Sequence, residues 1–361
     1  MFVVVGDAHL HPYTWASMPS VRGDAYRSYE QAVRYAIENH ATHFVLAGDT
    51  VDVNNPPAEA VEVLLKGINA LKNANVIVLA ISGNHDPDFW VGISGVALAL
   101  DTSGPVKLMC NPPHQVEGIR SLPPDMLKER LSKLDPATNV LVLHQLVRGI
   151  VPEFEQSWDL DPDWVPTHVK LVLLGDLHKA VEYSRSSVGS TVTKFIYTGS
   201  TYLNSIDESD EKSFLVVHDD LSVTRVPLST RPVRRLKFAS GDEAEFNKAV
   251  SVLDEAPEGA LVICRYDSRI PDVEKLKENR EHLHFMFKPI NMQALEVVAE
   301  QGLSVSATTL ESCLSAVVDR AADKFYYDFV LALLRGQDTK QVIEAFRTRF
   351  LEGSTDANQP S

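Results

Sequence analysis

The chain has 361 residues, of which 44% are hydrophobic and 23% charged, and a formal net charge of −15. That composition is ordinary for a packed protein and excludes a disordered or fibrous chain. No apolar run approaches the ~18–20 residues of a membrane span. The opening MFVVVGDAHLH lacks the basic start and cleavage site of a secretory signal, so a cytoplasmic, membrane-free location is expected. The acidic balance argues against a sequence-independent basic coat for nucleic acid. It leaves room for a nucleic-acid enzyme, because bound cations and a local basic patch reverse the field at a site. Cys110, Cys264 and Cys313 are too few and too scattered for a disulfide framework or a zinc ribbon, and read as buried thiols.

In chain order, MFVVV (1–5) reads as a strand ending in Gly-Asp, and 26–39 as an amphipathic helix. HFVLA (43–47) is a second strand ending in Gly-Asp. A helix follows over 57–73, opened by prolines, then a strand over 76–81 ending in Ser-Gly-Asn-His-Asp. Further strands are expected at 140–143, 169–174, 195–197 and 213–218. This βαβ alternation predicts a largely parallel sheet with helices on both faces. In such sheets ligands bind beyond the carboxyl ends of the strands. Near Val226 the pattern changes to a smaller unit: a helix at 242–254, a strand at 260–266, a helix at 272–281 and a strand at 284–288. After Asn291 the pattern is helical, with an apolar stripe running through Leu310, Leu314, Val317, Ala321, Phe325 and Leu333.

Five motifs follow strands directly: Asp7-Ala-His9, Gly48-Asp49-Thr-Val-Asp52, Gly83-Asn84-His85-Asp86, Leu143-His144 and Gly175-Asp176-Leu-His178. They offer carboxylate, amide and imidazole ligands and no thiolate, a set suited to Mn²⁺, Fe²⁺, Zn²⁺ or Mg²⁺. Two cations ~3.5–4 Å apart would need a bridging carboxylate, for which Asp49 is placed, and would clamp the oxygens of a phosphoester displacement. A glycine beside a ligand permits a tight turn and close backbone approach. A single Asp-x-His is weak; five such motifs in order, each at a strand end, are not.

Together DxH, GDxxD, GNHD, a strand-end His and GDxH resemble the motifs of the calcineurin-like metallophosphoesterase superfamily. Within it the chain resembles the SbcD-type DNA-repair nucleases, phage recombination nucleases included. Tyr197-Thr-Gly-Ser200, Asp207-Glu208, Lys212-Ser-Phe and Pro227…Arg231-Pro232 carry the likeness further. The resemblance implies an α/β fold with a four-layer αββα core over 1–225 and a small α+β capping domain for DNA over 226–291. The pattern after Asn291 gives C-terminal helices over 292–351, and the polar end of the chain, 352–361, reads as a disordered tail.

Carried over by position, one metal would be held by Asp7, His9, Asp49 and His178, the other by Asp49, Asn84, His144 and Asp176. His85 would protonate or stabilise the leaving oxygen, with Asp52 orienting it by a hydrogen bond. The family's last motif is usually GHxH, so Asp176 departs from it; either Asp176 ligates through oxygen and hardens that site, or the second metal binds weakly. The implied activity is an Mn²⁺-dependent exonuclease and endonuclease acting on double- and single-stranded DNA ends in repair, recombination and replication. The implied setting is the nucleoid, or a host cytoplasm for a phage protein. The implied partners are a second copy of the chain and an SbcC/Rad-type ABC ATPase docked on the C-terminal helices, whose stripe reads equally as ordinary core. The alternative is a phosphatase or cyclic-nucleotide phosphodiesterase, which the acidic charge favours and the extra modules disfavour.

Phosphate contacts are expected from Arg22, Arg148 and Lys179, and Phe89 and Trp90 either stack on a base or pack their own loop. Arg231, Arg234, Arg235 and Lys237 form a basic cluster that lines a DNA path or a solvated strand face.

Overall fold

Apolar runs with alternate faces both buried make the core strands. In β1 (Phe2–Val5) every residue is buried: Val3 and Val5 face one apolar cluster, Phe2 and Val4 another. A strand buried on both faces must be covered on both. The computed structural model describes residues 1–290 apart from 16–17, 87–96, 151–157, 187–191, 210, 268–269 and 271–272. The expected C-terminal helices and tail, Phe89, Trp90 and Cys313 lie outside the described residues.

After β1 come α1 (Asp24–Glu38), β2 (His43–Ala47), α2 (Ala58–Asn73), β3 (Ile77–Ile81), β4 (Leu98–Ala99) and a single turn, α3 (Leu100–Ser103). Next are β5 (Val106–Lys107), β6 (Gln115–Ile119), α4 (Pro124–Ser132), β7 (Val140–His144), β8 (Leu171–Gly175), β9 (Glu182–Ser186), β10 (Val192–Tyr197), β11 (Ser213–Val217) and β12 (Val223–Pro227).

These strands form two six-stranded sheets, in the orders β12-β11-β1-β2-β3-β4 and β5-β6-β7-β8-β10-β9. The single sheet expected from βαβ alternation is therefore two, and the layering is the αββα one. Strand periodicity reports burial on both faces but not which neighbour supplies it. Residues 213–217 pair antiparallel with β1, and 192–197 pair parallel with β8, so these two strands sit in different sheets. One core lies between the sheets, with Val4, Val45 and Leu79 meeting Val116, Val140 and Leu173. A second joins α1 and α2 to one outer face through Tyr29, Ala32, Leu64 and Ile68. A third joins α4 to the other through Leu127 and Leu131. The parallel strands β1, β2, β3 and β7, β8, β10 carry the motif loops at their carboxyl ends.

The described chain divides into two compact units, Met1–Val233 and one that begins at Arg234; Val226 lies within β12. The second unit contains most of β13 (Val233–Phe238), then α5 (Glu243–Asp254), β14 (Leu261–Asp267) and β15 (His284–Ile290), in one three-stranded sheet. Its expected second helix is a 3-10 turn, Val273–Lys277. Its core joins Leu236 and Phe238 to Leu253, Val262 and Cys264. Cys264 is buried, whereas Cys110 is only half-buried, a correction to its sequence reading.

Candidate metal centre

Two strand-end loops zip together first. Asp7 N donates to Gly48 O at 3.2 Å and His9 N to Asp49 O at 2.9 Å, extending the β1–β2 pairing past the strands. Two bonds then tie the sheets together at this edge. Asp176 N donates to Asp7 Oδ1 at 3.0 Å, and the His144 ring bonds Ala47 O at 3.0 Å. The backbone is bent hard here: Asp7, His9, Asp49 and Asp176 all have positive φ, at 48°, 38°, 46° and 84°. For non-glycine residues each such conformation costs about 1–3 kcal/mol and is held only by its surroundings. Gly83 allows the closest approach: a Cβ there would lie 2.1 Å from Asp49 Oδ1 and 2.4 Å from Asp49 N.

Hydrogen bonds fix which ring nitrogen of three of the histidines is committed. A carbonyl or carboxylate oxygen only accepts, so the nitrogen facing it carries the proton. His144 Nδ1 donates to Ala47 O, His85 Nδ1 to Asp52 O at 2.5 Å, and His178 Nδ1 to Glu208 Oε1 at 2.7 Å. In all three the Nε2 is turned to the cluster. His178 Nε2 lies 3.1 Å from His9 Nε2, and His144 Nε2 lies 3.1 Å from Asn84 Oδ1 and 3.8 Å from Asp176 Oδ1. Asp49 Oδ2 stands among them, 3.4 Å from His144, 3.7 Å from His9 and 3.9 Å from His85. Asp49 Oδ1 accepts from His85 N at 2.9 Å.

The structure thus brings Asp7, His9, Asp49, Asn84, His85, His144, Asp176 and His178 to one place. Three overlapping groups have donor atoms within 4.8 Å of one another: Asp7, His9 and His178; His9, Asp49 and His85; Asp7, Asp49 and His144. Asp52 reaches His85 through its main chain. Its carboxylate lies 3.2 Å from His9 Nδ1, and it is the main-chain carbonyl that holds His85.

Without a cation this arrangement is electrostatically tense. Burial pushes the Asp49 carboxyl up, but His144, His9 and the His85 amide outweigh it and hold it at about 2. Burial depresses His144, yet Asp49 foremost, then Asp7 and Asp176, hold it up at about 10. Burial pushes Asp176 up to about 6, against the pull of His144 and helped by Asp7, Asp159 and Asp49. Asp7 Oδ2 is buried with no hydrogen-bond partner among the described residues. An orphaned buried carboxylate oxygen beside two imidazole nitrogens 3.1 Å apart is what a divalent cation relieves. The oxygen-and-nitrogen donor set fits hard to borderline ions.

Two supporting groups escaped assignment from sequence. Asp86 is wholly buried and accepts from Thr50 N at 2.7 Å and Gly83 N at 3.0 Å, pinning the Gly83–Asn84 turn. Burial, then the charge of Asp49, pushes its carboxyl up to about 6. Glu208 grips His178, and its other oxygen meets Lys212 Nζ at 2.5 Å and Ser200 Oγ at 2.9 Å. Its polar loop gives no hydrophobic period to place it; the family likeness of Asp207-Glu208 marked the residue without giving its partner.

The expected phosphate contacts are scattered. Arg22 pairs with Glu59 at 3.1 Å and covers the Tyr13 ring; Arg148 pairs with Asp161 and covers the Trp158 ring. Arg231 is drawn inward onto buried Asp24 at 2.9 Å. In the second unit Arg234 is half-buried, and Arg235 and Lys237 alternate with buried Leu236 and Phe238, so both face solvent. Lys179 is exposed and borders a cavity of about 730 Å³ beside His178, shared with Lys212, Arg225 and Glu211.

Residues 1–180 match the calcineurin-like phosphoesterase family. The "DNA double-strand break repair protein Mre11" of Methanosarcina acetivorans is 27% identical over 270 residues, covering 67% of this chain and 42% of that protein. The proteins of the same name from Sulfolobus acidocaldarius and Sulfurisphaera tokodaii are 27% and 29% identical, covering 48% and 43% of this chain and the same shares of their own lengths. The chain therefore spans about half or less of these curated relatives. A crystal structure of a dimetal phosphatase from Danio rerio overlays with TM-score 0.44 at 11% identity, over 63% of this chain and 98% of that one.

Proposed function

Residues 1–180 belong to the calcineurin-like phosphoesterase family, and from that premise we propose that the chain is a metal-dependent nuclease of DNA repair, hydrolysing phosphodiester bonds at DNA ends. The observation that carries the metal is the facing pair of His9 and His178 Nε2 atoms beside the orphaned Asp7 Oδ2. The double-strand break repair role in its relatives' name carries the substrate. Asp7, His9, Asp49 and His178 would hold one cation, and Asp49, Asn84, His144 and Asp176 a second, with Mn²⁺ the ion the carboxylate-rich set favours.

When bound, the cations supply Lewis acidity to the scissile phosphate and acidify water. The chain's own residues do the rest. His85 is the most open of the four ring histidines at this edge, with 42% of its side chain exposed. Its Nδ1 proton is committed to the Asp52 carbonyl, leaving Nε2 to hold a proton for the leaving oxygen. Lys179 and Arg225, at the cavity beside His178, would steer the phosphate backbone. The apolar stripe over Leu310–Leu333 would dock on an ABC ATPase, and the second unit would contribute to DNA-end placement. Among the described residues no helix is long and apolar enough to cross a membrane; the protein would act wherever its DNA lies.

The test is a nuclease assay on linear duplex and hairpin DNA with Mn²⁺. Degradation abolished by EDTA is expected. Activity confined to p-nitrophenyl phosphate or cyclic nucleotides would replace this reading with a phosphatase or cyclic-nucleotide phosphodiesterase. Deleting residues 301–361 should abolish capture of the ATPase while sparing the nuclease; unchanged capture would reject the docking.

A further inference from the structure

His178 stands at the rim of the cluster with its side chain 27% exposed, on the loop after β8. A loop imidazole so placed has two tautomers and free rotation unless something holds it. Glu208 holds it from behind. Oε1 accepts the Nδ1 proton at 2.7 Å, which leaves Nε2 bare and aimed at His9 Nε2, 3.1 Å away. Oε2 meets Lys212 Nζ at 2.5 Å, Ser200 Oγ at 2.9 Å and Asn204 N at 3.2 Å, and Lys212 Nζ also reaches Ser200 Oγ at 2.7 Å. The Lys212 side chain is 2% exposed and that of Glu208 10%. The main chain closes the unit, since Ser200 N donates to His178 O at 3.3 Å.

A buried ion pair adds little net stability, because desolvation consumes the Coulombic gain. What this one does is lock a carboxylate into a single orientation. A carboxylate on the far nitrogen of a metal-ligating histidine fixes tautomer and ring plane and raises the basicity of the ligand nitrogen. We propose that Glu208, anchored by Lys212 and Ser200, is a positioning residue that presents His178 Nε2 to a divalent cation shared with Asp7 and His9. This rests on the reading that the cluster holds metal, and extends the machinery from the strand-end motifs to the loop before β11. The loop's own acid–base pair is then part of the site rather than a solvated face.

The experiment is calorimetric titration of Mn²⁺ into the metal-free 361-residue chain as wild type, Glu208→Gln and Lys212→Met, with histidine ¹⁵N spectra of each. Glu208→Gln keeps the shape and loses the charge. It should weaken Mn²⁺ binding roughly 10- to 100-fold, with His178 passing from one tautomer to a mixture. Lys212→Met leaves Glu208 in place but unanchored, and should give a smaller loss in the same direction; it also serves if Glu208→Gln fails to fold. Both variants binding Mn²⁺ as tightly as wild type, with His178 in its single tautomer, would overturn the proposal. Wild type binding no Mn²⁺ would instead overturn the metal reading beneath it.

Discussion

His85 and Asp52 meet through the main chain: His85 Nδ1 donates to the Asp52 carbonyl at 2.5 Å, while the Asp52 carboxylate turns to His9 Nδ1, 3.2 Å away. The His9 ring holds that carboxyl below the usual carboxylate range. The orientation of His85 is thus built into the backbone and does not depend on the chemistry of side chain 52.

Asp52→Asn should therefore leave the His85 tautomer unchanged in ¹⁵N spectra, since the carbonyl remains. Mn²⁺ affinity should fall, because His9 loses the charge that makes it a better ligand. A scrambled His85 tautomer with unchanged Mn²⁺ affinity would show the reverse assignment.

Removing His85 separates catalysis from binding. Its Nε2 is 3.9 Å from Asp49 Oδ2, close enough to share a cation and open enough to meet substrate. As the proton donor, its substitution His85→Ala should cut the rate of DNA cleavage by roughly 10²–10⁴-fold, with Mn²⁺ stoichiometry by mass spectrometry near two per chain. A drop in that stoichiometry would make His85 a ligand.

Gly83→Ala tests the crowding at the centre. The added Cβ meets Asp49 at both Oδ1 and N, and the amide nitrogen has nowhere to go because the backbone there is already at positive φ. Overpacking of this kind costs about 1–3 kcal/mol. The thermal midpoint should fall in EDTA, and added Mn²⁺ should restore less of it than in wild type. A midpoint equal to wild type in both conditions would mean that the Gly83 turn moves freely.

Much of this centre could be read from the sequence. His43–Ala47 and Val140–His144 announce themselves as apolar runs; the first runs into Gly48-Asp49 and the second closes on His144, polar residues that have no packing reason to follow a buried strand. Gln115–Ile119 did not announce itself. It is a parallel neighbour of β7, but its run is broken by Glu117 and Gly118. Glu117 is buried because Thr138 Oγ1 and Asp135 N satisfy it, and Gly118 because a Cβ would strike Ile81 and Leu100 across the sandwich. Both reasons are tertiary, so no local pattern carries them. Asp86 and Glu208 lie within stretches legible in the sequence, but their roles rest on distant partners, Thr50 N for Asp86 and the His178 ring for Glu208, that only the fold brings near.

The pH dependence follows from the same buried charges. His144 is raised to about 10 and Asp49 lowered to about 2, so the metal-free centre holds a proton on His144 at neutral pH. A cation at His144 Nε2 must displace that proton, so Mn²⁺ affinity should rise with pH between about 6 and 8, with net proton release on binding. Calorimetry in buffers of different ionisation enthalpy reads this directly, and proton uptake would contradict it. Stability of the metal-free protein has its own sign. Asp86 and Asp176, raised to about 6, keep their protons in the folded state where the unfolded chain has already lost them. These two groups therefore lower stability as pH climbs from about 4 to about 6. His144 works at the other end, its contribution complete below its unfolded value and lost as pH rises towards about 10. Asp49 contributes above the ordinary carboxylate value, and its share is lost only as pH falls towards 2. In EDTA the thermal midpoint of Asp176→Asn should gain relative to wild type as pH climbs through the first window, because one of the two destabilising ionisations is removed. If the slope is the same in wild type and Asp176→Asn, the strain of the metal-free centre does not lie in that carboxylate.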